Sequence, residues 1–151
     1  MEKLQYLIME EEITFTRRIL KVDNHPFELW INTNVINDSS KSDFNWCWYV
    51  ELQKFDDTEN DDLKLQSLMV EILQKIMKIA DIKITGITLH KNLYEIIFYA
   101  KEENTQKIAG EFAEMPAELE DRENRFIKYH SKRDNNWDNV KLYFDFIAKS
   151  T

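Results

Sequence analysis

One apolar stripe limits what this chain can become more than any other feature. Leu65, Leu68, Met69, Ile72, Leu73, Ile76 and Ile79 recur at helical spacing and form one continuous face. A helix with one apolar face has to bury it, and the neighbouring runs suggest against what. Trp46 to Gln53 is rich in aromatic and β-branched residues, as strands are. Ile82 to Leu89 and Leu93 to Tyr99 read as two more strands, joined by His90-Lys91-Asn92. Asn92 tolerates the positive φ that a tight hairpin needs. The stripe therefore predicts a helix lying on a sheet.

The remaining elements follow from weaker signals. Two strands are expected near the start, over Ile13 to Ile19 and Phe27 to Asn32, with His25-Pro26 in a turn. The acids from Asp56 to Asp62 open the first helix, with Asp61 or Asn60 as its cap. A second helix is expected from Asn104 to about Met115, burying Ile108 and Phe112, with Pro116 ending it. Arg122 to Ser131 reads as a strand, with Phe126, Lys128 and His130 on one face and Ile127 and Tyr129 on the other. A last helix is expected from Asp134 or Asn135, buried through Trp137, Val140, Phe144 and Ile147.

From Trp46 onward the order is β-α-β-β-α-β, the split arrangement of ferredoxin-like folds. The predicted class is α+β, with an antiparallel sheet and both helices of the unit on one face. Extra N-terminal strands and a C-terminal helix complete it. Whether those strands join the main sheet is not legible. With only two glycines and two prolines there is no linker, so one domain is expected over residues 1–151.

Formal charge is −8, which disfavours direct binding to nucleic-acid backbones and favours basic partners, or simply keeps the chain in solution. The lone cysteine, Cys47, has no partner for an internal disulfide and fits a reducing compartment. The first nine residues are too short and too acidic downstream for a signal peptide. No apolar run approaches the roughly 18 residues of a membrane helix. A cytoplasmic protein with no membrane contact is expected.

Signs of chemistry are sparse. His25, His90 and His130 show no metal-ligand spacing, and no metal or cofactor is expected. Cys47, between two tryptophans, reads as a small buried hydrophobe rather than a nucleophile. No G-x-S-x-G turn and no glycine-rich phosphate loop occurs. The acids stand out instead. Asp56, Asp57, Glu59, Asp61 and Asp62 form one group, and Glu111, Glu114, Glu118, Glu120 and Asp121 another. Such groups either dock on a basic cleft or are a capped helix start and a solvated face. The basic stripe Arg122, Arg125, Lys128, Lys132 and Arg133 does not read as a nucleic-acid site.

Three stretches carry a resemblance. They are the helix from Asp61 to Ala80, the hairpin from Gly86 to Tyr99, and Tyr129 to Trp137 with its Asp-x-x-Trp at Asp134 and Trp137. In these the chain resembles a bacterial family known as domain of unknown function six-nine-five. It departs from that pattern at Asn92, where a glycine is expected, and at Leu93 and Tyr94, where basic residues are common. In fold that family is similar to the regulator of ribonuclease E activity, the B-type inhibitor. The resemblance implies an α+β architecture and protein–protein inhibition, and it supplies no catalytic residues.

The expected function is a non-catalytic protein-binding regulator, an inhibitor or immunity-type protein that masks a basic nuclease or toxin. Asp56, Asp57, Glu59, Asp61 and Asp62 would provide charge complementarity, and an exposed Trp30 or Tyr94 the anchor. Two other readings stay open. One is an enzyme or small-ligand-binding domain with an unfamiliar site, built on His90, His130 and Glu95. The other is a self-associating structural domain of unknown oligomeric state.

Overall fold

The computed structural model describes residues 13–54, 58–118 and 126–149. Six strands, β1 (Phe15–Val22), β2 (His25–Asn32), β3 (Trp46–Gln53), β4 (Ile82–His90), β5 (Leu93–Ala100) and β6 (Phe126–Arg133), form one sheet. Three α-helices are described, α1 (Glu59–Met77), α2 (Thr105–Glu118) and α3 (Asp138–Lys149). The strand order is β1-β2-β4-β5-β3-β6, and every neighbouring pair is antiparallel. The β-α-β-β-α-β unit is present, with β5 and β3 at its centre. The N-terminal hairpin does join the sheet, through β2 on β4.

Alternation along each strand splits the buried residues between two faces. On one face, Trp48, Val50, Leu52, Ile84, Ile87, Ile96 and Phe98 meet the stripe of α1 from Leu65 to Ile76, and Ile108, Phe112 and Met115 of α2; Ile79, expected in the stripe, lies beyond the helix end at Met77. On the other, Leu29, Ile31, Cys47, Ile97 and Tyr99 meet Trp137, Val140, Phe144 and Ile147 around α3. Gly86 is needed on that second side. A Cβ there would lie 2.7 Å from Ile31 Cδ1 and 3.0 Å from the Trp30 carbonyl oxygen.

Several boundaries differ from expectation, each for a local reason. Asp23 and Asn24 both have positive φ and close the first hairpin, so His25 and Pro26 lie in β2 rather than in a turn. Pro26 is tolerated because β2 pairs with β4 only from Phe27 onward. Lys91 and Asn92 make the same two-residue turn between β4 and β5. The cap of α1 is Thr58, not Asp61 or Asn60. Thr58 is extended, and its hydroxyl accepts the Asp61 N–H at 3.1 Å.

Pro116 lies inside α2, which runs on to Glu118. Its fixed φ suits a helix, and both the missing N–H and the crowding of the carbonyl four residues back fall in the last turn, where only two further residues follow. Trp137 adopts a φ of 56°, which delays α3 to Asp138. Asp134 stands ahead of the helix and accepts the N–H groups of Asp138 at 2.9 Å and Asn139 at 3.0 Å. The expected strand start at 122–125 lies outside the described residues. Among those described, no helix is long and apolar enough to cross a membrane.

Candidate functional site

The sequence pointed to the start of α1, and the structure gathers several of the named residues there. β3 ends at Gln53, and the next backbone N–H, of Lys54, donates to the Asn92 carbonyl at 2.7 Å. The Gln53 side-chain amide donates to the same oxygen at 3.0 Å. These bonds tie the end of β3 to the β4–β5 turn and aim Lys54 at α1. Lys54 Nζ lies 3.0 Å from Asp62 Oδ1, with the lysine side chain only 10% exposed. The Tyr94 hydroxyl reaches the same Asp62 oxygen at 3.4 Å. Burial first, then the Asp62 and Glu28 charges, push the Tyr94 phenol well above its ordinary range. It stays a donor.

The Tyr94 ring stacks on Trp30 at 6.3 Å, and the Arg17 guanidinium sits 5.6 Å from the Trp30 ring. Arg17 also pairs with Glu28 at 3.3 Å. Beside this group a cleft of about 580 Å³ is lined by His25, Pro26, Glu28, Lys54, Leu89, Lys91 and Asn92.

This geometry corrects the expected contact surface. Trp30 and Tyr94 are core residues, not exposed anchors: β2 and β5 turn them toward the helices, where both are buried. Asp61 is buried inside the first turn of α1, and Asp62 is held by Lys54. Glu59 is exposed as expected. Asp56 and Asp57 lie outside the described residues. In the second acidic group, Glu111 and Glu114 lie along α2, while Glu120 and Asp121 fall outside the description, as do Arg122 and Arg125.

The residues of the enzyme reading do not converge. His90 stands on β4 beside His25 and Phe27, with its Nε2 3.2 Å from the Val22 carbonyl. His130 stacks on Tyr49 at 4.6 Å on β6, at the far edge of the unit. Among the described residues, no group of three or more His, Cys, Asp or Glu side chains is placed to hold a metal ion. Cys47 is fully buried, and loss of solvent pushes its thiol up to about 11. That position leaves little thiolate near neutral pH.

One polar row was missed. Lys128, Glu51, Glu95 and Thr88 sit side by side across β6, β3, β5 and β4. Lys128 Nζ lies 3.3 Å from Glu51 Oε2. Burial, then the Glu51 charge, raises the Glu95 carboxyl, and Lys128 only partly offsets this. The signal was present in both strands, but reading it required the β3–β5 register. Compared with protein-family models and with curated proteins, the chain matches none.

Proposed function

We propose that the chain is a cytoplasmic, non-catalytic regulator of the inhibitor or immunity type, which covers a basic protein such as a nuclease or toxin. The observation that carries this reading is segregation of charge. Helices α1 and α2 together hold seven acids against three bases. The edge strands β1 and β6 hold six bases and no acid. Both helices cover the same face of the sheet. The fold thus presents an acidic helical layer, framed by basic edges of the kind that discourage strand pairing with other chains.

The contact residues are reassigned accordingly. Glu59, Glu111 and Glu114 supply the charge. Leu63, 45% exposed on α1, replaces Trp30 and Tyr94 as the apolar contact. Such a surface speeds encounter with a basic partner and weakens as salt screens it. The three resembling stretches support the same reading, through the protein–protein inhibition that the resemblance implies.

The test is capture of partners from the native host at low salt, with the wild-type chain and with a Glu59→Lys, Glu111→Lys, Glu114→Lys variant. A basic protein held by the wild type, released by salt and inhibited in its own activity, supports the proposal. The variant should bind it at least about tenfold more weakly, a modest loss for three charges in a complementary interface. Equal binding by the variant with the same salt dependence would remove the acidic layer from the interface.

A further inference from the structure

We propose that α3 is a hinged lid, which lifts off the sheet as a unit and uncovers the Cys47 thiol while the strands, α1 and α2 stay folded. Connectivity sets it apart from the other two helices. α1 joins β3 to β4 and α2 joins β5 to β6, so neither leaves without pulling on two strands. α3 hangs from the edge strand β6 through residues 134–137, and no described strand follows it. With 12 residues it is too short to keep its helix alone in water, so it comes away and melts in one step.

Latch and hinge lie together at that connection. The Asp134 carboxylate accepts the Tyr99 hydroxyl at 2.7 Å and the N–H groups of Asp138 and Asn139, so one side chain joins the helix start to β5. Beside it Trp137 holds a φ of 56°, a conformation that a bulky side chain resists. The Tyr99 ring at 4.3 Å and the bond from the Trp137 indole N–H to the Phe44 carbonyl at 2.8 Å keep it there. Both contacts are lost when α3 lifts, and the turn relaxes. Strain of this kind lowers the cost of opening and marks the pivot. Beneath the helix, Cys47 pairs with Tyr99 across β3 and β5 and shares one cluster with Trp137, Val140, Phe144 and Ile147. Opening returns water to this thiol and turns an inert group into a reactive one. The lid lies on the opposite face of the sheet from the acidic helical layer and does not depend on it.

Cys47 is the only cysteine, so labelling the full chain with excess methyl methanethiolsulfonate across low urea reads the opening directly. Labelling is expected at least about tenfold faster than global unfolding allows, with less than about half of the global urea slope, because only the surface under α3 is exposed. Amide exchange in α3 should report the same opening, while the β3 and β5 amides stay protected to the global limit. Asp134→Ala should speed labelling about tenfold or more. Ile108→Val trims the other face and should leave labelling in water unchanged, although it lowers global stability. Labelling that carries the full urea slope, or that rises about threefold or more in Ile108→Val, means that global unfolding alone reaches Cys47 and overturns the proposal. So does a shallow slope while the α3 amides stay protected, or an unchanged rate in Asp134→Ala.

Discussion

The two faces of the sheet are held by different physics. Against α1 and α2 the contacts are apolar and aromatic, with Phe112 between Trp48, Phe98 and Tyr129 at ring distances of 4.8–6.4 Å. Among the described residues, that face even leaves the Trp46 and Trp48 indole N–H groups buried without a hydrogen-bond partner. Against α3 the apolar cluster is smaller and is positioned by directed bonds. Asp134 receives the Tyr99 hydroxyl at 2.7 Å as well as the two helix N–H groups and the Asn139 amide. Trp137 stacks on Tyr99 at 4.3 Å and donates its indole N–H to the Phe44 carbonyl at 2.8 Å. One face is stabilised by area, the other by geometry.

Removing area should therefore cost most on the helical face. Phe112→Ala empties a fully buried ring site and should destabilise by about 3–5 kcal/mol, read by urea unfolding. On the α3 face the sensitive group is polar. Asp134→Ala strands the Tyr99 hydroxyl and the start of α3, at a cost of about 2–4 kcal/mol. Asp134→Asn keeps an acceptor oxygen and should recover part of that loss. A near-neutral Asp134→Ala would show that α3 is held by burial alone, and the contrast between the faces would fail.

The same contrast explains what the sequence disclosed. The stripe of α1 and the aromatic run of β3 report on area, and periodicity reads area well. Thus the β-α-β-β-α-β element order from Trp46 onward, the apolar residues Trp137, Val140, Phe144 and Ile147 packed around α3, and the positive φ of Asn92 were legible. Direction is not periodic. The role of Asp134 ahead of α3 rests on a positive φ at Trp137, and the cap role of Thr58 on an extended backbone. Trp30 and Tyr94 were misplaced because their burial depends on which face of β2 and β5 meets the helices. The Glu51–Glu95 pair exists only through a register between strands more than 40 residues apart.

A smaller effect sharpens the comparison from outside the core. Gly110 lies mid-helix in α2, is exposed, and has no atom of the described residues within 4 Å of the position its Cβ would take. Gly110→Ala removes backbone freedom from the unfolded chain without disturbing either face. It should stabilise by about 0.5–1 kcal/mol, read as a higher unfolding midpoint at unchanged urea slope.

The smallest effect is also the one with a pH signature. Glu95 faces Glu51 directly across β3, with Lys128 bound to Glu51, Thr88 on the β4 side and Tyr143 reaching over from α3. Like charges opposite one another on a sheet destabilise it, so Glu95→Gln should stabilise the fold by about 0.5 kcal/mol at neutral pH. The sign of the pH dependence follows from the raised carboxyl. The folded protein holds the Glu95 proton more tightly than the unfolded chain does, so ionisation weakens the fold. Below the usual carboxylate range both states are protonated, and wild type and variant should be equally stable. As pH rises through the raised folded value, the wild type should fall behind the variant and then run parallel to it. Urea unfolding of both proteins across that range measures the gap. A gap independent of pH would mean that Glu95 acts by packing rather than charge.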